Sequence, residues 1–470
     1  MSKKQITLTV IGVIALIAII VCLGIALNNT KTTSSKSSAS TNLESKTASE
    51  ISSEYNEINY GNSSTKVSDT GVLNITTGGS YDLSGSYESI VINTTKDVQL
   101  NLNGVEITNT NGPAINVENA GSVSIVLTGT NKITATTTED LDGAIYSKDD
   151  LVFSGTGSLE IKSNYDGIVS KDTLVIKSGT YVINADDDGI RGKDNVAIVE
   201  GTFTLNCGGD GIKATNDEDT TKGYVAIDGG TFNITSYNDG IQAETTLSIK
   251  GGSFTIKTTD TSSSDTAKGL KAGTLIEIGG GTFNINAIDD GIHSNGNITL
   301  NSGEYTITSK DDAIHADGLL EINGGTFNIT AAEGIEATYI KINDGTINIS
   351  ASDDGINAGN KSSDYQVTVE INGGNITITM GQGDTDGIDS NGNIYINGGT
   401  INITGNSPFD YDGTAQHNGG TIIVNGTQTD TITNQMMGGG MMNGGQMGGD
   451  QRGQSGGMNG GMQPGGRGMR

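Results

Sequence analysis

The sequence contains no tryptophan, three prolines, two cysteines and only 4% aromatic residues. Two cysteines cannot build a disulfide framework: Cys22 falls in an apolar N-terminal run and Cys207 in a repeat, so stability must come from elsewhere. Without tryptophan, any aromatic platform for sugar rings is weak. Positive charge is scarce too, with 26 Lys and Arg against 54 Asp and Glu. The first thirty residues hold two of those bases and no acid, which leaves 24 − 54 = −30 on the remainder. Such a surface excludes nucleic acid as a partner and repels anionic membranes. It suits cations, or anionic ligands that cations bridge.

Glycine, by contrast, is abundant at 71 of 470 residues. That length alone suggests about three domains, but internal repetition overrides the estimate, because repeat folds grow along one axis without a larger core.

The N-terminus reads as an address. Lys3 and Lys4 precede Ile6 to Leu27, a run of twenty-two residues without charge. This is long enough to span a bilayer of about 30 Å hydrocarbon thickness, with the lysines inside and the rest of the chain outside. The expectation for residues 1–27 is therefore a membrane anchor. A cleaved signal through Gly24-Ile25-Ala26 and a lipid-modified Cys22 stay open as alternatives, and all three put the body at the cell surface or beyond it. Residues 28–66 are rich in Ser, Thr, Lys and Asn and read as a flexible linker. Residues 431–470 form a Gly/Met-rich tail without apolar period, read as disordered.

Between them, residues 67–430 repeat. Aligned on the glycine of Asp-Gly-Ile, Gly143, Gly167, Gly189, Gly211, Gly240, Gly269, Gly291, Ala313, Gly334, Gly355, Gly387 and Gly413 are spaced by 24, 22, 22, 29, 29, 22, 22, 21, 21, 32 and 26 residues. Within one unit, Gly291 to Asp312 ("GIHSNGNITLNSGEYTITSKDD"), three short runs alternate apolar and polar residues between turn residues. Period-two alternation means strand. The predicted fold is all-β, a right-handed three-faced parallel β-helix with about 22 residues per coil. No helical pattern is found after residue 30. Phe203, Phe232, Phe254, Phe283, Phe327, Tyr181 and Tyr305 share one register, which predicts a buried ladder with rings about 4.8 Å apart. Residues 67–140 keep the strand-and-turn grammar with a blurred period, as atypical first coils that close the end of the core.

Two columns flank the Gly-Ile step. Before the glycine stand Asp142, Asp166, Asp188, Asp210, Asp239, Lys268, Asp290, Asp312, Glu333, Asp354, Asp386 and Asp412, and several coils double the acid with Asp187, Asp289, Asp311 or Asp353. Carboxylates on neighbouring coils lie about 5 Å apart, and each such pair repels by roughly 3 kcal/mol at an effective dielectric of 20. Asp and Gly are also ordinary turn residues, but Asn or Ser would serve a turn without the charge. The excess points to Ca2+, a hard cation that takes carboxylate and carbonyl oxygens. The expected ligands are Asp187, Asp188, Asp210, Asp239, Asp289, Asp290, Asp311, Asp312, Asp353 and Asp354.

The outward residue after the isoleucine makes the second column, with Arg191, Lys213, Lys271, His293 and His315 as a basic stripe. Uronate carboxylates could pair with these bases and be bridged by Ca2+ to the aspartates. Alternatively, the bases only neutralise the acids beside them. Tyr165 and Tyr237 occupy the same acidic turn and could stack on sugar rings.

The repeated "DDGI", "NGGTFNIT" and "NGNITL" units behind an export segment resemble the bacterial cell-surface carbohydrate-binding β-helix proteins, similar in fold to the pectate lyase superfamily. The resemblance covers about residues 70–425. It implies a right-handed parallel β-helix, bound calcium, and affinity for cellulose or acidic sugars such as polygalacturonate. The expected function is non-catalytic, calcium-dependent polysaccharide binding by a monomer held at the membrane through its N-terminal helix. Two alternatives stay open: a polysaccharide lyase acting by β-elimination with Arg191, Lys213 or Lys271 as base, and a structural adhesin.

Overall fold

The computed structural model describes residues 46–55, 64–261, 267–381 and 385–434. The expected anchor, most of the expected linker and the tail from residue 435 lie outside them. No helix among the described residues is long and apolar enough to cross a membrane.

Strands pair with the equivalent strand of the following repeat. Ile190–Gly192, Asn195–Ile198 and Thr202–Cys207 run parallel to Ile212–Ala214, Tyr224–Ile227 and Thr231–Ser236, in that order. The pattern continues in both directions, so the strands form long parallel columns of a β-helix. Like meets like across each step: Ile168 pairs with Ile190, and Ile190 with Ile212. Extra residues, such as 215–223, sit at a corner between strands and leave the register intact.

The period of two decides what is inside. Along Thr231–Ser236, Phe232, Ile234 and Ser236 are buried while Thr231 and Asn233 face out. The aromatic ladder is present as expected. From Tyr181 through Phe203, Phe232, Phe254, Phe283 and Tyr305 to Phe327, successive ring centroids are 4.4 to 5.0 Å apart and the planes lie within 6°. The two tyrosines keep their hydroxyls satisfied by donating to the carbonyls of Ser178 and Ser302, each at 2.8 Å. Two residues before each ring, a glycine such as Gly230 takes a positive φ of 115°, a turn conformation that side chains with a Cβ resist.

The first strands, Ser64–Ile75, Gly79–Asn93 and Val98–Asn109, are longer, and their register slips between Leu83 and Gly85. They are the atypical opening coils that the blurred period predicts. At the other end the last parallel strand, Thr421–Val424, meets Thr427–Thr429 in antiparallel fashion. Asn425 and Gly426, with φ of 50° and 77°, make the tight turn between them.

One expectation needs correction. Within the stretch read as a linker without helical pattern, Ala48–Glu54 is an α-helix. Thr47 and Glu50 form a reciprocal capping box, and Asp228 accepts the N–H groups of Ala48 and Ser49 at 2.9 and 3.0 Å. Ala48 and Ile51 pack on Val152, Val175, Ala197 and Ala226 from the outer side of the coils. Lys177 donates to the Tyr55 carbonyl at 2.6 Å. The segment has too few apolar residues for a core of its own, but two suffice where the body supplies the rest.

Candidate functional site

The corner between the third strand of one repeat and the first strand of the next carries the Asp-Gly-Ile step. Its glycine is required by packing rather than by φ. A Cβ on Gly211 would lie 2.4 Å from the Gly240 carbonyl oxygen and 2.5 Å from Ile234 Cγ2. The backbone of the next coil passes directly over it.

The aspartate before that glycine turns inward along the stack. Asp166 Oδ1 accepts the backbone N–H of Asp188 at 3.0 Å, Asp188 Oδ1 that of Asp210 at 2.8 Å, and Asp210 Oδ1 that of Asp239 at 2.8 Å. Asp239 does the same for Lys268, Asp290 for Asp312, and Asp354 for Asp386, at 2.8 to 3.1 Å. In these six coils one carboxylate oxygen therefore serves as the acceptor for a backbone N–H of the next coil. A second oxygen remains, and it faces the outward column.

There the bases meet it. The Arg191 guanidinium contacts Asp142, lies 2.5 Å from Asp166 Oδ2 and 3.8 Å from Asp188 Oδ2. Lys213 Nζ is 2.5 Å from Asp210 and 3.8 Å from Asp188, and Lys271 Nζ is 3.2 Å from Asp239. Lys268 contacts Asp289 and sits 3.5 Å from Asp290. His293 Nδ1 is 2.7 Å from Asp290, and His315 Nδ1 is 2.6 Å from Asp312 and 2.8 Å from Glu336. All five bases expected to hold substrate are thus engaged with the acidic column.

Charge is not evenly balanced along it. Burial raises Asp166 to about 7 despite Arg191, and Asp210 to about 6 despite Lys213. Burial also raises Asp354 to about 7, reinforced by Glu333, Asp386 and Asp353. Burial and the charges of Asp354, Asp386 and Asp410 raise Asp389 to about 7. Burial opposes charge on His315, but hydrogen bonds to Asp312 and Glu336 overcome it and lift the imidazole to about 10. Glu336, held by His315 and Lys361 against the same opposition, falls to about 2.

Among the described residues, several side chains bring ligating atoms within 4.8 Å of one another: Asp166 with Asp187 and Asp188, and Asp289 with Asp290 and Asp311. A further pair of groups involves histidine, Asp290 with His293 and His315, and Asp312 with His315 and Glu336. The expected ligands Asp187, Asp188, Asp289, Asp290, Asp311 and Asp312 therefore converge in threes. Asp210, Asp239, Asp353 and Asp354 join no such group among the described residues. Tyr165 is half-buried and in line with Asp187, Gly209 and Asn238, whereas Tyr237 is exposed one position earlier in its own coil. They do not form a continuous platform.

Lys361 and Asp317 were not legible as members. Lys361 reaches Glu336 Oε1 at 2.8 Å from an inserted corner, and Asp317 Oδ1 lies 3.3 Å from His315 Nε2. Asp166 stands in the same column as its doubled neighbours and differs only in lacking a second acid in its own coil.

A family model described as carbohydrate-binding domain-containing protein matches residues 68–313 and 308–441. No curated protein matches the chain. Among solved structures, the polysaccharide lyase-like protein from C. thermocellum, a gadolinium derivative, aligns at 26% identity and a TM-score of 0.39, over 50% of this chain and 95% of its own.

Proposed function

The chain belongs to the family of carbohydrate-binding domain-containing proteins, and from that premise we propose that it is a calcium-dependent, non-catalytic binder of cellulose or acidic polysaccharides such as polygalacturonate. The proposal includes display on the outer face of the cell membrane through the N-terminal segment, and a right-handed, three-faced winding of about 22 residues per coil.

The observation that carries the calcium assignment is the convergence of carboxylates in threes. Asp166, Asp187 and Asp188 make one set, and Asp289, Asp290 and Asp311 another. Asp187 and Asp311 are exposed, so each set has an oxygen at the surface and others anchored in the corner. Oxygen-only sets with adaptable loop carbonyls suit Ca2+. A uronate carboxylate could complete such a site from outside, which gives the ion a bridging role.

Catalysis is disfavoured by the state of two of the candidate bases, Arg191 and Lys213. Arg191 is enclosed by three carboxylates that raise its pKa further, against the effect of burial. Lys213 is raised by Asp210 and Asp188, again against burial. A β-elimination base must give up its proton near the working pH, and these groups are held in the protonated form.

The test is retention of the full chain on cellulose and on polygalacturonate, with Ca2+ and with chelator, while ultraviolet absorbance follows unsaturated products. Retention that disappears with chelator, without new absorbance, is expected. Unsaturated product would establish a lyase, and no retention on either polymer would leave a structural adhesin.

A further inference from the structure

We propose that His315, Asp312 and Glu336 form a binding site for a divalent transition metal of the Zn2+ or Co2+ class, distinct in ligand chemistry from the oxygen-only calcium sets. The three side chains are all buried, and their ligating atoms lie within 4.8 Å of one another.

The geometry around His315 offers a cation a place to bind. Its Nε2 faces Asp317 Oδ1 at 3.3 Å, an acceptor that places the proton of a neutral imidazole on Nε2. Nδ1 then presents a lone pair, and two carboxylate oxygens converge on that same atom, Asp312 Oδ2 at 2.6 Å and Glu336 Oε2 at 2.8 Å. Without a metal, one proton on Nδ1 has to be shared between these two carboxylates. A divalent ion among the three atoms satisfies all of them. Ligand distances of about 2.0–2.2 Å set tetrahedral neighbours about 3.4 Å apart, so the side chains need to spread by less than about 1 Å.

His293 repeats the arrangement one coil earlier. Its Nε2 is 2.8 Å from Asn295 Oδ1, its Nδ1 is 2.7 Å from Asp290 Oδ2, and its ring stacks on His315 at 4.7 Å. Asp290 and His293 therefore stand beside the set as further donors, with their ligating atoms within 4.8 Å of His315.

The surroundings match those of a metal ligand set. A carboxylate on the distal nitrogen of a ligating histidine fixes the tautomer and raises its basicity, and Asp317 holds that position. Lys361 binds Oε1 of Glu336 at 2.8 Å and leaves Oε2 directed at His315. A hollow of about 290 Å³ in front of these residues opens to solvent and gives an entry path. Imidazole nitrogen favours Zn2+, Co2+, Ni2+ or Cu2+, whereas Ca2+ takes oxygen.

The experiment is a Co2+ titration of the tag-free full chain after chelator treatment, read by visible d–d absorption without any polysaccharide present. One equivalent should give an intense spectrum of low coordination number, displaced by stoichiometric Zn2+ and unmoved by a thousandfold excess of Ca2+. His315→Gln should abolish it. Asp317→Asn, which leaves the three ligands in place, should weaken Co2+ by about 10- to 100-fold. Only the spectrum of the hydrated ion, displacement by Ca2+, or an unchanged titration in folded His315→Gln or Asp317→Asn protein would overturn the site.

Discussion

Asp188 Oδ1 accepts the backbone N–H of Asp210 from the next coil at 2.8 Å, while its other oxygen lies 3.8 Å from the Lys213 ammonium. One side chain thus continues the hydrogen bonding of the stack and neutralises a base outside it.

Asp188→Asn keeps an amide oxygen for the Asp210 N–H, whereas Asp188→Ala leaves that buried donor unpaired and removes one of three carboxylates around Arg191 and one of two around Lys213. Asp188→Ala should lower stability by about 2–4 kcal/mol, and Asp188→Asn by clearly less. Urea denaturation midpoints in chelator measure the difference. Equal losses would show that the charge, rather than the acceptor, is what the corner uses.

The pH dependence without divalent ions has a definite sign. Asp166, Asp354 and Asp389 are raised to about 7 in the folded chain and Asp210 to about 6. Unfolded carboxylates titrate near 4, so between about pH 4 and 7 the native state binds more protons. Their contribution is fully present below the unfolded value and is lost as pH rises through the folded one. His315, raised to about 10, adds a loss in the same direction at higher pH. Glu336, lowered to about 2, acts oppositely, but only as the pH falls from about 4.5. The melting temperature in chelator should therefore fall from pH 5 to pH 8, and saturating Ca2+ should flatten the slope. A melting temperature that rises over this interval in chelator would contradict the assignment.

Arg191 occupies the carboxylates of Asp142, Asp166 and Asp188, so Ca2+ bound at the proposed Asp166–Asp187–Asp188 set would compete with it. Replacing it with methionine removes the internal cation and leaves the carboxylates behind. Arg191→Met should melt at a lower temperature in chelator, yet gain more from added Ca2+ than the wild-type chain. Calorimetry at matched Ca2+ concentrations checks this. An equal Ca2+ increment in both proteins would separate the arginine from the calcium set.

The outer helix should detach without disturbing the coils. Asp228→Ala removes the acceptor at its N-terminus, worth about 1 kcal/mol, and Ile51→Asp removes its apolar contact. Both changes should speed proteolysis within residues 46–55. The main unfolding transition should move by less than about 1 kcal/mol, as for surface changes elsewhere. Coupled loss of the body would make the helix part of the core.

The sequence makes the aromatic column legible because inward residues recur with period two and Phe or Tyr is followed by Ile or Leu at nearly every coil. It also displays both charged columns. Their connection is hidden, because it depends on where the next coil places its N–H, a relation set by stacking and not by composition. Asp166 illustrates this: without a second acid in its own coil it draws less notice than Asp187-Asp188, yet it sits in the same group with them. Lys361 is hidden for another reason, since it arrives from an insertion with no repeat to align against. The helix at Ala48–Glu54 is hidden because half its apolar contact belongs to Val175, Ala197 and Ala226, over a hundred residues later.

A parallel stack has no inherent stopping point, since its last strand offers the same unpaired edge on which each earlier coil was laid. Here Asn425 and Gly426 reverse the chain, and Thr427–Thr429 occupies that edge along Thr421–Val424. Asp430 and Ile432 then lie against His417 and Tyr411, as carbonyl acceptors, across the neighbouring strands. The chain thereby blocks the template that a second copy would otherwise extend. Two turn residues thus cover one exposed strand edge at this end of the described coils.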